Sequence, residues 1–132
     1  MSLFVDTSAL MAVLNADDQN HAAAVVVWTE LVTADMELTC TNYVLVETFA
    51  LIQNRLGMEA VRTFQEDLAP LLQIEWIEAA QHSRAVAALL TASRRQLSLV
   101  DCASFETMRS EGISEAFTFD RHFAEQGFTC LP

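Results

Sequence analysis

Four carboxylates in this chain stand where they could do chemistry together: Asp6, Glu47, Asp101 and Asp120. Asp6 closes the apolar run Ser2 to Val5, and Asp120 closes a second run, Ala116 to Phe119. Asp101 lies among Leu99, Val100, Cys102, Ala103 and Phe105, and Glu47 lies in the stretch Thr41 to Gly57 beside Tyr43, Val44 and Leu51. A carboxylate buried without a partner is costly, and like charges within about 4–6 Å raise one another's pKa. A cluster of three or four is therefore expected only where a cation neutralises it. All-oxygen ligation selects hard ions such as Mg²⁺ or Mn²⁺ over zinc. Two such ions about 3.5–4 Å apart can activate a water and stabilise the leaving oxygen of a phosphodiester.

Each acid also has a purely structural reading. Asp6 and Asp120 could simply cap the next turn or helix, which aspartate does well. Ser98 and Asp101 have capping-box spacing, and the only cations close to Asp101 in sequence are Arg94 and Arg95. Glu47 could pair with an arginine. Leu45, Phe49, Ile52 and Leu56 form one apolar stripe at helical spacing. At about 100° per residue, Glu47 projects to roughly the opposite side, where its neighbours are again apolar. That helix is therefore expected to be covered nearly all round.

The elements that must position these acids follow from the pattern of apolar residues. Strands are expected at Ser2–Val5, Glu37–Cys40, Ile74–Ile77, Ala116–Phe119 and Phe128–Cys130. Helices are expected from Thr7 to Leu14, Asn20 to Thr33, Thr41 to Leu56, Met58 to Leu72 (bent or broken at Pro70), Ala79 to Ser93, and Leu99 to just before Gly112. Strands alternating with helices imply an α/β fold with a parallel sheet and helices on both faces. Ligands in such sheets sit outside the carboxyl ends of the strands, where strand order reverses. Trp28 and Trp76 lie in apolar patterns and are expected in the core. Phe64, Leu68, Leu71 and Leu72 are read the same way, with an exposed face for a protein partner as the alternative.

Composition sets the outer bounds. The chain has 132 residues, 52% of them apolar, which is enough for a single domain spanning 1–132 with one core. Seven basic residues oppose 18 acidic ones, for a net charge of −11, and all seven are arginine. Without lysine, the chain cannot be a P-loop, Schiff-base or class A β-lactamase-like protein. The acid excess argues against broad, charge-driven binding to nucleic acid. Cys40, Cys102 and Cys130 fit neither a disulfide framework nor a zinc site and are read as reduced and cytosolic. No apolar run approaches the ~20 residues of a membrane span, and the N-terminus lacks the basic segment of a signal peptide. His21, His82 and His122 lack metal-ligand spacing for zinc. No Gly-x-Ser-x-Gly elbow occurs. His122 and Arg121 flank Asp120 and could touch a substrate phosphate, or be a solvated turn.

Leu3 to Leu10, the mid-helix Glu47, Ser98 to Phe105 and Phe117 to Phe123 together resemble the PIN domain. Among its members the chain is most similar to the VapC-type toxins of bacterial and archaeal toxin–antitoxin modules. The resemblance spans nearly the whole chain. It implies a three-layer α/β/α sandwich with a parallel sheet of four to five strands in order 3-2-1-4-5. It further implies a Mg²⁺- or Mn²⁺-dependent endoribonuclease that hydrolyses RNA with water. Asp6, Glu47, Asp101 and Asp120 match the family's acidic quartet, as metal ligands and catalytic groups, with Glu47 as ligand or proton acceptor. Thr7 or Ser8 matches the hydroxyl that positions water or phosphate, and Thr118 the hydroxyl two residues before the last acid. Expected partners are RNA, a cognate antitoxin and a second copy of the chain, in the cytoplasm and away from membranes. Arg94 and Arg95 are candidates for an RNA-facing patch. A PIN-fold RNA- or protein-binding module with little or no turnover is the alternative, and it suits the acidic balance. A phosphoacceptor receiver domain would need paired acids at the first strand and a lysine on the last, and the chain has neither.

Overall fold

Leu3, Phe4 and Val5 are buried in succession within β1 (Ser2–Val5). Side chains alternate across a strand, so consecutive burial means that both faces of β1 are covered. The computed structural model, which describes residues 1–132, shows why. After β1 come α1 (Thr7–Leu14), α2 (His21–Thr33), β2 (Glu37–Thr41), α3 (Asn42–Arg55) and α4 (Met58–Thr63). A π turn (Phe64–Leu68) and a 3₁₀ turn (Ala69–Leu71) lead into β3 (Leu72–Glu75). The rest is α5 (Ala79–Ala92), α6 (Leu99–Glu111), β4 (Glu115–Phe117), α7 (His122–Glu125) and β5 (Thr129–Leu131). The five strands form one parallel sheet in order β3-β2-β1-β4-β5, the expected order, with helices on both faces.

Aromatic packing anchors the half of the core beneath β1 and β4. Phe123 meets Phe105 edge-on at 4.9 Å between ring centroids and lies 6.2 Å from Phe4. Such pairs contribute about 0.5–1.5 kcal/mol each beyond their area burial. On the other side Phe49 meets Phe64 edge-on at 5.1 Å.

Several expected elements shift, each for a physical reason. The single helix expected from Met58 to Leu72 is three pieces: α4 stops at Thr63, a π turn follows, and Pro70 sits in a 3₁₀ turn. Proline cannot donate to an α-helical ladder, while the wider turn lets Phe64 and Leu68 both reach the core. Leu72 is buried with them, but Leu71 faces outward. The third strand starts at Leu72 rather than Ile74, because its ladder is set by β2, from Leu38↔Leu72 to Thr41↔Glu75. Trp76 falls just past that ladder and is 65% exposed, so the expectation that it is core is wrong; Trp28 packs against the core. The helix carrying Glu47 is not covered all round either. Its buried stripe is Val44, Thr48 and Ile52, and Val46 is open to solvent. The fourth strand ends at Phe117, two residues early, and the short α7 was not foreseen.

Candidate active site

Strand order runs outward from β1 through β2 to β3 on one side and from β4 to β5 on the other. The reversal therefore falls between β1 and β4, and the crevice at their carboxyl ends is the place where open α/β sheets hold ligands. Val5 pairs with Phe117 across this seam, and the Asp6 N–H donates to the Phe117 carbonyl at 3.1 Å. The register alone thus sets Asp6 beside the turn that carries Asp120.

Asp6 is the N-cap of α1. Its Oδ2 accepts from the Ser8 hydroxyl at 2.8 Å, the Thr118 hydroxyl at 3.0 Å and, more weakly, the Ser8 N–H at 3.4 Å. The same two hydroxyls accept backbone donors from the turn: Phe119 N–H to Ser8 Oγ and Asp120 N–H to Thr118 Oγ1, both at 2.9 Å. These side-chain acceptors take over where strand pairing stops, which is why β4 ends at Phe117. Asp6 is only 4% exposed. Burial pushes its pKa up to about 6; Ser8 and Thr118 oppose the rise, and the Asp101 and Asp120 charges add to it.

Asp101 sits at the third position of α6 in a complete capping box. Its N–H donates to Ser98 Oγ at 3.0 Å, and the Ser98 N–H donates to its Oδ2 at 3.1 Å. The local structural reading is therefore correct, and it does not compete with convergence. Burial also raises the Asp101 pKa; the Ser98 bonds oppose this, Asp120 reinforces it, and His122 opposes it. Arg94 does not compensate Asp101, since it pairs with Glu125 at 3.4 Å. Asp120 caps the turn into α7, accepting the His122 N–H on Oδ1 at 2.9 Å.

Asp6, Glu47, Asp101 and Asp120 all line one cavity of about 430 Å³, together with Thr7 and Ser8. Four separate elements supply the four acids. Within the cavity the spacing is uneven. Oxygens of Asp101 and Asp120 and a ring nitrogen of His122 lie within 4.8 Å of one another, a spacing fit for a single cation. Asp6 and Glu47 stand outside that tight group. Of the two candidate hydroxyls after Asp6, Ser8 engages the carboxylate, while Thr7 is buried 3.5 Å from Thr48 Oγ1. Thr118 bridges Asp6 and Asp120. Arg121 is exposed and does not line the cavity.

Arg55 and Asp18 escaped the sequence reading, and His122 was read there only as a phosphate contact or a solvated turn residue. Arg55 lines the cavity and is its one arginine. Its signal was present: Glu47, Leu51 and Arg55 recur every four residues, which puts them on one helix face. His122 is 7% exposed, not a solvated turn residue. Its Nδ1 lies 2.9 Å from Asp120 Oδ1, but the contact lacks hydrogen-bond geometry, and both ring nitrogens are buried without a partner. No sequence signal marks that inward turn beyond the cap at Asp120.

The fold and this acid-lined crevice define a class, and the chain belongs to the PIN domain family, whose profile matches residues 3–128. It is similar to the 23S rRNA-specific endonuclease VapC20 of Mycobacterium tuberculosis, represented by two strains. Identity is 35% over 127 residues, covering 96% of this chain and 95% of that protein. The crystal structure of that VapC20, described as a Sarcin-Ricin loop cleaving toxin, superposes with a TM-score of 0.84 at 32% identity and covers 96% of each chain. FitAcB from Neisseria gonorrhoeae shares the fold, with a TM-score of 0.69 at 14% identity, over 100% of this chain and 97% of that one. A cluster of carboxylates in a PIN fold suits a divalent cation. No helix is long and apolar enough to cross a membrane.

Proposed function

We propose that this chain is a divalent-metal-dependent endoribonuclease, the toxin of a toxin–antitoxin pair. The observation that carries the reading is the convergence of Asp6, Glu47, Asp101 and Asp120, from four elements, into one cavity at the switch point of the sheet. The similarity to VapC20 over nearly the full length supports it. Asp101 and Asp120 would hold a Mg²⁺ or Mn²⁺ ion, with Asp6 as a further ligand for that ion or a second one. When bound, such an ion lowers the pKa of a water molecule and offsets the charge of the scissile phosphate.

The chain's own residues do the rest. Ser8 and Thr118 fix the Asp6 carboxylate in one orientation. Glu47, partly exposed on the cavity wall, serves either as a further metal ligand or as the acceptor of a proton from water. Arg55 faces the phosphate backbone across the cavity, and Arg121 beside Asp120 contacts RNA further along. Water attacks phosphorus and the bond to the ribose 3′ oxygen breaks, leaving a 3′-hydroxyl and a 5′-phosphate. The substrate is a ribosomal RNA stem–loop, by analogy with VapC20.

The same reading carries a cognate antitoxin, a homodimer and a cytoplasmic setting. Three free cysteines suit a reducing compartment.

The test compares wild type with Asp6→Asn and Asp101→Asn on ribosomal RNA with Mg²⁺ or Mn²⁺. Wild type is expected to release fragments with 5′-phosphate ends, and both variants to be inactive. Equal cleavage by all three proteins rejects the reading. Metal binding without cleavage of any RNA in a broad panel supports instead a PIN-fold binding module, which the net charge of −11 favours.

A further inference from the structure

A buried imidazole with neither nitrogen satisfied is an anomaly that native structures explain by a water, an ion or a functional role. His122 is such a group. It is held inward because Asp120 Oδ1 caps its backbone N–H while Phe123, next in the chain, is wholly buried. The ring is thereby aimed at the two acids that already lie closest together, Asp101 and Asp120. Neighbouring ligands of an octahedral ion, each about 2.1 Å from it, lie about 3 Å apart. The 2.9 Å between His122 Nδ1 and Asp120 Oδ1 matches that edge, the contact lacks hydrogen-bond geometry, and Nε2 comes no nearer than 4.0 Å to the Glu125 carboxylate.

We infer that His122 is a nitrogen ligand of the cation held by Asp101 and Asp120, and that this ligand biases the site toward Mn²⁺ over Mg²⁺. The inference rests on the metal-dependent reading above and specifies one of its ligands. Imidazole suits transition-series ions, whereas Mg²⁺ keeps to oxygen donors and gives up its waters reluctantly. A mixed oxygen and nitrogen set therefore discriminates where an all-carboxylate set would not. The sequence argument against zinc, that no histidine has a partner at ligand spacing, does not reach this arrangement, because the other two ligands are aspartates from α6 and from the turn after β4.

The experiment is pulsed EPR of the full chain loaded with Mn²⁺, with natural-abundance histidine and with histidine labelled with nitrogen-15. Calorimetric titration of Mn²⁺ and Mg²⁺ into wild type and His122→Asn accompanies it. A histidine nitrogen coupled to the manganese is expected, changing with the label and absent in the variant. The Mn²⁺ affinity of the variant is expected to fall by about tenfold or more, a typical penalty for a disturbed metal shell, while its Mg²⁺ affinity changes far less. Bound Mn²⁺ with no histidine coupling overturns the inference and leaves the metal-dependent reading standing. Equal losses of both metals in the variant also overturn it, since they mark His122 as a group that only orients Asp120. Failure of wild type to bind either metal overturns both. The labelled wild-type spectrum decides the matter even if the variant does not fold.

Discussion

Replacing Asp6 with asparagine is expected to make the metal-free protein more stable while destroying its activity. The Asp6 pKa rises from an ordinary 3.8 to about 6 in the folded state. Between those values the folded protein binds a proton that the unfolded chain has released, so stability falls as pH rises. A shift of about two units corresponds to roughly 3 kcal/mol, lost between about pH 4 and pH 6 and absent thereafter at any higher pH. Asparagine carries no charge to bury and escapes that loss. It forfeits part of the acceptor capacity that Ser8 and Thr118 use, at about 1 kcal/mol. The net gain above pH 7 is then about 2 kcal/mol, or several degrees in Tm for a chain of this length. Thermal melts of wild type and Asp6→Asn in EDTA, from pH 4 to pH 8, read this out. The stability difference should grow in favour of the variant up to about pH 6 and then level off. Added Mn²⁺ should stabilise wild type more than the variant, because ligand binds the native state. A difference independent of pH, or a variant less stable than wild type at pH 8, would refute the claim that Asp6 is a strained, buried charge.

Other outcomes follow from single contacts. Thr118→Val keeps the shape but removes the hydroxyl that donates to Asp6 and accepts from the Asp120 N–H; urea unfolding should show a loss of about 1–3 kcal/mol with an unchanged slope, and RNA cleavage should slow markedly. Phe123→Ala empties the wholly buried space between Phe4 and Phe105, at about 3–5 kcal/mol by the same measurement. Arg94→Ala removes an exposed ion pair with Glu125 and should change stability by less than about 0.5 kcal/mol.

What the sequence made legible was whatever depends on local pattern and chain position. Ser2–Val5 reads as a doubly covered strand because all its side chains are apolar, and Asp6 reads as a strand-end acid because it follows directly. The capping box at Ser98 and Asp101 is visible in its spacing. Strand order is not local, and it came through resemblance to a known family rather than from periodicity. The errors fall where a distant partner decides. Trp76 looks like core in its own neighbourhood, yet the ladder between β2 and β3 stops one residue before it. The turn after Phe117 looks like more strand, yet the hydroxyls of Ser8 and Thr118 capture its N–H groups. His122 looks like a solvated turn residue until Asp120 caps its backbone and the ring folds under. Arg55 was readable from its spacing with Glu47, and its place on the cavity wall became evident only with the acids assembled.

The central claim is that the assembled carboxylates cut RNA only through a divalent cation. Cleavage of a ribosomal RNA stem–loop, followed as Mn²⁺ is titrated into EDTA-stripped wild type and Asp120→Asn, tests it most directly. The account predicts no product without metal, saturating activity as Mn²⁺ rises, and none from the variant at any concentration. Cleavage that persists in EDTA, or that survives in Asp120→Asn, would contradict it.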